Sequence, residues 1–115
     1  MENTMPDEQG HPELEEIELG KVLAALADPA RRRVIKQLLE DEAGAERHCT
    51  SFGLQLSKAT RSHHFRVLRE AGLIRQVDRG NSRMAQLRYG EIELRFPGLL
   101  ELIRREKEEQ ASSET

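Results

Sequence analysis

Apolar residues recur at three- to four-residue intervals through the first third of the chain, which is the spacing of an amphipathic helix. Two runs on either side of Asp28-Pro29 share this spacing: Leu14, Ile17, Val22, Leu23 and Leu26, with one five-residue step, and then Val34, Ile35, Leu38 and Leu39. Aspartate is a good helix N-cap, and proline suits the first helical turn. The pattern predicts one helix that begins at Glu13 and a second that begins at Pro29 and ends near the acidic run 40–42.

The segment 43–56 has no clear period. It indicates a loop followed by a short helix that contains Phe52 and Leu54 and is capped by Thr50 or Ser51. A longer helix is predicted over 58–71, with Ser57 as its N-cap and Gly72 at the position where a glycine commonly ends a helix.

The remaining pattern predicts a β-hairpin and a last helix. Leu73–Val77 and Met84–Tyr89 have the composition of short strands, and the polar, glycine-containing turn 78–83 joins them. Residues 91–95 indicate one helical turn. The last helix, Gly98–Glu109, has an apolar side formed by Leu99, Leu100, Leu102 and Ile103.

This order of elements predicts a mainly α fold with a small β-hairpin, a winged helix-turn-helix. The short helix and the helix after Ser57 form the helix-turn-helix pair, and the hairpin is the wing. The length of 115 residues fits one domain. We expect a disordered N-terminal lead over 1–12, the winged-helix domain over 13–109 and a disordered tail over 110–115. The first and last helices are more apolar than a three-helix core needs, which favours a dimer held by these two helices.

The basic residues are concentrated in the predicted helix after Ser57 and in the hairpin that follows it. The window Ser57–Arg88 has eight Lys or Arg and two Asp or Glu residues, a net charge of +6, whereas the whole chain carries −3. A basic module in an acidic protein predicts a polyanionic partner. In a winged helix, the second helix of the pair enters the major groove and the hairpin tip reaches phosphates or the minor groove. The predicted contacts with double-stranded DNA are Lys58, Thr60, Arg61, Ser62, His63 and Arg66 on the helix and Arg79, Asn81 and Arg83 on the hairpin.

Two segments together resemble a known family. LAALADPARRRVIKQLLE, followed by LSKATRSHHFRVLREAGLI, is similar to the ArsR/SmtB-type winged-helix repressors, and the resemblance covers roughly Leu19–Leu87. It implies a homodimer held by the first and last helices, repression by occupation of an operator, and release by an inducer, which is often a metal ion. The chain departs from the metal-sensing pattern, because the stretch before the recognition helix has Cys49 alone where those members carry a Cys-x-Cys pair. The last helix also lacks histidine. We therefore expect no metal at either usual site and no cofactor.

Other candidate chemistry is sparse. Because Cys49 is the only cysteine, an intrachain disulfide is excluded, and His48-Cys49 is the remaining candidate for a metal or redox response. The neighbouring His63 and His64 point about 100° apart on a helix and do not easily chelate one ion; we expect His63 near DNA and His64 packed inward. A protein-binding winged-helix adaptor without DNA contact is the alternative from another class.

The sequence predicts that the protein is not an enzyme and that it is cytoplasmic. No nucleophile–base pair, phosphate-binding loop or carboxylate cluster is evident. The N-terminus lacks the basic and apolar regions of a signal peptide, and no apolar run approaches the roughly 20 residues that span a bilayer.

Overall fold

The structure, a computed structural model, describes residues 10–106. These residues form five α-helices and three strands in the order α1 (Leu19–Leu26), α2 (Pro29–Glu40), β1 (Glu46–His48), α3 (Lys58–Ala71), β2 (Ile74–Arg79), β3 (Ser82–Leu87), α4 (Tyr89–Arg95) and α5 (Leu99–Arg105). The strands form one antiparallel sheet with β3 in the centre. The predicted mainly α fold with a winged helix-turn-helix architecture is confirmed. None of the helices over 10–106 has the length and apolar character needed to cross a membrane.

The predicted N-terminal helix is broken in two. A 3-10 turn, Leu14–Glu16, is followed by extended backbone at Ile17, and α1 begins only at Leu19. The break directs the Ile17 side chain into the core, where it is 1% exposed. The five-residue step between Ile17 and Val22 was the sequence signal of this break. Gly20 therefore lies in the first turn of α1 and not in the middle of a long helix.

The N-terminal segment packs against the hairpin. His11 and Pro12 are buried, and the backbone N–H of Gln76 in β2 donates a hydrogen bond of 3.0 Å to His11 Nε2. These positions were predicted to belong to a disordered lead over 1–12, and there the prediction was wrong, because a neutral imidazole satisfies a backbone amide of β2. Residues 1–9 lie outside the described part of the chain. So do 107–115, which include the end of the predicted last helix and the predicted tail.

The start of α2 agrees with the sequence pattern. The Asp28 carboxylate accepts hydrogen bonds from the backbone N–H groups of Ala30 (2.7 Å) and Arg31 (3.2 Å), and Pro29 occupies the first turn. Val34 and Ile35 are fully buried. The helix ends at Glu40, within the acidic run.

The prediction for 43–56 was wrong. Residues 46–48 form β1, which pairs with β3 in the register Glu46↔Gln86, Arg47↔Ala85 and His48↔Met84. No helix occurs between β1 and α3 in the described structure. Ser51 N–H donates to His48 O at 3.0 Å and closes a single turn, and the positive φ of 71° at Gly53 is incompatible with a helix that contains Phe52 and Leu54. We call residues 49–57 the connector; α2, the connector and α3 form the helix-turn-helix unit.

The cap and stop of α3 are as predicted. The Ser57 hydroxyl accepts from Thr60 N–H at 3.1 Å, and Gly72 ends the helix with a φ of 92°. The hairpin is longer than predicted, because β2 continues to Arg79 and β3 begins at Ser82, leaving a two-residue turn at Gly80-Asn81. This short turn fits the positive φ of 67° at Gly80. We call the β2–β3 hairpin the wing.

Candidate nucleic-acid interface

A groove of about 690 Å³ runs between the N-terminal half of α3 and the wing. The end of β1, at His48, and the start of the connector, at Cys49 and Thr50, close one end of this groove. Seven of the nine predicted contact residues line this groove: Lys58, Arg61, Ser62, His63, Arg66, Asn81 and Arg83. The fold thus brings most of the predicted residues of the helix and of the wing tip onto one surface.

Helix α3 has two distinct faces. His64, Phe65, Leu68 and Ala71 are buried against the core. Lys58 and Arg66 are exposed away from this packed face, whereas Arg61 is partly buried and lies one turn before Phe65 at the edge of the packed face. None of these three cations has an ion-pair partner among the described residues. The N-terminus of the helix adds its own positive potential to that of these cations. Anions are therefore attracted to the first turns of α3.

Thr60 does not line the groove. The Thr60 hydroxyl oxygen accepts a hydrogen bond of 3.0 Å from Ser57 Oγ. The Thr60 backbone N–H in turn donates to Ser57 Oγ. The side chain thus takes part in the cap that begins α3, while it remains exposed.

Arg79, the other predicted contact outside the groove, is held by β1. Its Nε and Nη2 atoms donate to the two carboxylate oxygens of Glu46 at 3.0 and 2.5 Å. This bidentate hydrogen bonding lowers the pKa of Glu46 and raises that of Arg79. The sequence pattern missed the pair because Glu46 precedes Arg79 by 33 residues and lies in a segment that was predicted to be a loop.

The other arginines of the wing, and Arg88 directly after it, also face carboxylates. Arg83 pairs with Asp78 at 2.8 Å across the two strands, where the residues are in register. Arg75 approaches Glu91 at 3.7 Å, and the buried Arg88 donates to both oxygens of the same carboxylate at 2.7 and 3.0 Å. The hydrogen bonds from Arg88 lower the pKa of Glu91.

This pairing changes the interpretation of the basic window. Two of the neutralising carboxylates, Glu46 and Glu91, lie outside Ser57–Arg88 and were not counted in its net charge of +6. The wing arginines are largely compensated, whereas Lys58, Arg61 and Arg66 on α3 are not. The uncompensated positive charge of the groove is therefore concentrated on the helix.

His64 is buried, as predicted, and contacts α2. Arg31 Nη1 lies 3.1 Å from His64 Nδ1. Because a guanidinium only donates, Nδ1 accepts this bond, so the imidazole is neutral with its proton on Nε2. Burial lowers the pKa of His64, and the charges of Arg31 and His63 act in the same direction, while Asp28 opposes them. His63 is exposed at the groove.

Cys49 does not have the features of an activated thiol. It follows β1 and is not at a helix N-terminus; its N–H donates to Arg83 O at 3.0 Å, and Gln76 Nε2 lies 3.6 Å from its sulfur. Burial raises the pKa of this thiol, so the reactive thiolate is disfavoured. Over residues 10–106, no three His, Cys, Asp or Glu side chains are grouped closely enough to hold a metal ion.

Comparisons with known proteins agree with this architecture. Residues 28–76, which contain α2, the connector and α3, match the protein-family model described as bacterial regulatory protein, arsR family. The chain is 32% identical over 85 residues to an uncharacterized HTH-type transcriptional regulator, YceK, of Bacillus subtilis (strain 168); the match covers 72% of this chain and 83% of YceK. A crystal structure of a possible transcriptional regulator for arsenical resistance shares the fold, with a TM-score of 0.55 and 23% identity over 81% of this chain and 94% of that chain. This chain belongs to the ArsR family of bacterial transcriptional regulators.

Proposed function

We propose that this protein is a cytoplasmic transcriptional repressor that binds an inverted repeat in double-stranded DNA as a homodimer. The observation that carries the proposal is that Lys58, Arg61 and Arg66 of the capped helix α3 all line the groove and have no ion-pair partner among the described residues. In a chain with a net negative charge, cations on a helix without a binding partner are expected to pair with nearby carboxylates. Three cations that stay unpaired beside one groove therefore favour an anionic partner.

The chemistry of this part of α3 suits the major groove. Arginine and lysine donate to guanine O6 and N7 or to phosphates, and a serine hydroxyl can donate to or accept from base edges. Ser62 and His63 are exposed next to the cations, in the first half of α3. We therefore assign base contacts to this half of the helix, and phosphate contacts to Arg66 and to the wing tip at Asn81 and Arg83.

Exposed leucines support the homodimer. Leu19 and Leu23, one helical turn apart on α1, are 47% and 49% exposed, and Leu102 on α5 is 66% exposed. A second copy that covers these side chains removes apolar surface from water. The twofold axis places two copies of α3 in successive major grooves, with half-site centres roughly 34 Å apart, and so requires a palindromic operator.

Selection of bound sequences from a random pool of DNA duplexes tests the proposal. We expect an enriched inverted repeat with half-sites about one helical turn apart. Binding to the enriched duplex should weaken steeply with salt, with a slope of log K against log salt near −7 if the dimer neutralises about eight phosphates. A pool without enrichment, or binding that is insensitive to salt, would contradict the proposal.

A matched pair of variants identifies the surface that is used. Arg66→Met removes an uncompensated charge from the groove, whereas Arg75→Met removes an exposed arginine that already faces Glu91 and does not line the groove. We expect Arg66→Met to weaken binding on all duplexes and to reduce the salt slope by roughly 1 for each lost phosphate contact. Arg75→Met should bind nearly as the wild type; equal effects would argue against the α3 surface.

A further inference from the structure

The connector has little regular structure of its own, yet it leads directly into the first turn of α3. Within the described chain, residues 53–56 form no hydrogen bond. The backbone is next fixed at Ser57, whose hydroxyl caps the helix. The last hydrogen-bonded point before α3 is therefore Phe52, and beyond it Leu54 packs partly against the core. What holds the Phe52 backbone thus contributes directly to how the chain enters the helix.

Two side chains of α2 hold the Phe52 carbonyl. Arg33 Nε and Gln37 Nε2 both donate to Phe52 O at 3.2 Å. They are four residues apart and so lie on the same face of α2. The Phe52 side chain is 1% exposed, and its ring centroid lies 5.7 Å from that of Phe65 in α3. The same residue thus joins the backbone of the connector to α2 and packs its ring against α3.

Two further contacts complete this arrangement. The Arg47 guanidinium of β1 lies 4.9 Å from the centroid of the Phe52 ring. Gly53 has a φ of 71°, and a Cβ added there would lie 3.5 Å from Arg33 Nη2. We call Arg33, Gln37, Arg47, Phe52 and Phe65 the Phe52 cluster.

We propose that Arg33 and Gln37 are positioning residues for DNA recognition: by holding the Phe52 carbonyl, they fix the first turn of α3 in the orientation that reads bases. This inference rests on the proposed function. Neither residue lines the groove, so neither contacts DNA in this arrangement. Base readout depends on geometry more strictly than phosphate binding does, so a loosened first turn of α3 loses discrimination before it loses nonspecific affinity.

The two donors serve one acceptor, and this sets the expected pattern of a double-mutant cycle. Arg33→Met or Gln37→Leu alone leaves the carbonyl with one hydrogen bond, whereas the double variant leaves it with none. The measured quantity is the affinity for the selected operator divided by the affinity for a scrambled duplex. The loss of the Arg33 charge affects both affinities alike, so it largely cancels in this ratio. We expect each single variant to lower this ratio about twofold and the double variant to lower it at least tenfold, more than the product of the two.

Two controls separate positioning from general loss of structure. Arg33→Lys in the Gln37→Leu background keeps a donor and should restore most of the ratio, and Arg75→Met, which removes a charge elsewhere, should leave the ratio unchanged. Amide hydrogen exchange without DNA should speed up selectively over 60–62, where the first hydrogen-bonded amides of α3 lie, in the double variant and remain slow over 65–71. If the double variant does not fold, the single variants and the lysine rescue give the same comparison.

The inference is overturned if folded variants keep the wild-type ratio, if affinity falls equally on both duplexes, or if exchange rises uniformly along α3. A wild type that prefers no duplex would instead defeat the proposed function. In that case the hydrogen-exchange comparison still decides whether Arg33 and Gln37 order the first turn of α3.

Discussion

His64 illustrates how a single buried side chain links α3 to the rest of the domain. Its Nδ1 accepts a hydrogen bond from Arg31, and Arg31 Nε in turn donates to Ala25 O at 2.7 Å, so one guanidinium connects α1, α2 and α3. Protonation of Nδ1 would place a second donor against the guanidinium and add a like charge beside it. The neutral imidazole is therefore part of the folded structure.

We predict that His64 makes folding stability depend on pH. Its pKa in the folded state is lowered by burial, below the usual value of 6.5. Between the usual pKa of 6.5 and the lowered pKa, the unfolded chain binds more protons than the folded chain does. The stabilisation from the neutral His64 is therefore fully present above pH 6.5 and is lost as the pH falls through the lowered pKa. Urea unfolding at pH 7.5 and pH 5.0 should show a larger loss for the wild type than for His64→Gln.

The control for this prediction is His48→Gln, which removes an exposed imidazole from β1 and should behave as the wild type. The same loss of stability in the wild type and in His64→Gln would show that other groups are responsible. The pKa values of Glu46, Glu91 and Glu101 are also lowered in the folded state, but these groups change folding stability only below about pH 4.5, outside the range from pH 7.5 to pH 5.0.

Gly72 meets two requirements that only glycine satisfies. Its φ of 92° is unfavourable for other residues, and a Cβ at this position would lie 2.7 Å from Ile17 Cγ1. We predict that Gly72→Ala lowers the free energy of unfolding by about 2–4 kcal/mol, through backbone strain and overpacking. Gly90→Ala is the matched control. Gly90 lies in α4 with no atom near the added Cβ, so this change should be neutral or stabilising by up to about 1 kcal/mol in denaturant unfolding.

At the scale of elements, the wing and β1 form one electrostatic unit. Glu46 in β1 holds Arg79 at the end of β2, although the two strands are separated by β3. The side chains are 23% and 59% exposed, so the pair competes with water and contributes little to folding stability. Its larger consequence is for binding, because a phosphate competes with the Glu46 carboxylate for the Arg79 guanidinium.

We predict that Glu46→Gln tightens DNA binding by releasing Arg79. The control is Glu42→Gln. Glu42 is exposed in the loop before β1 and has no ion-pair partner among the described residues. This substitution therefore removes the same charge without releasing an arginine. Relative to this control, we expect affinity to rise about threefold at low salt and the salt slope to steepen by roughly 0.9 for each new phosphate contact. Identical titrations for the two variants would mean that Arg79 does not contact DNA.

How well each element could be predicted depends on where its determinants lie. Helices α2 and α3 and the Gly72 stop are specified by local signals: an Asp28 cap, a Ser57 cap and a glycine at the helix end. β1 and the connector are specified by distant partners, since β1 exists through pairing with β3 and Phe52 is fixed by α2. Spacing in the sequence indicated that 43–56 lacks a regular period, but it could not indicate which distant groups would order it.

The same distinction applies to the candidate site. The positions on α3 could be predicted because they belong to the first half of a helix whose start and end are marked locally by Ser57 and Gly72. The state of the wing arginines could not, because the carboxylates of Glu46 and Glu91 come from separate parts of the chain. Net charge within a sequence window therefore overestimated the free positive charge of the wing.

At the scale of the whole molecule, the surface has two regions of different chemistry: the cationic face of α3, and the exposed leucines of α1 and α5. Leu19, Leu23 and Leu102 are between 47% and 66% exposed, so acidic substitutions there cost the isolated fold little. They should strongly disfavour an interface in which the leucines are covered, because a carboxylate would have to be buried unpaired.

We predict that Leu23→Glu combined with Leu102→Glu converts the protein into a folded monomer. Sedimentation velocity should show a dimer for the wild type and half that mass for the double variant, with unchanged helical circular dichroism. On the selected inverted repeat, the monomer should lose about half of the salt slope, because each subunit then releases its counterions independently. Leu56→Glu, which changes a partly exposed leucine of the connector, is the control and should remain dimeric. A double variant that still sediments as a dimer would place the subunit interface elsewhere on the surface.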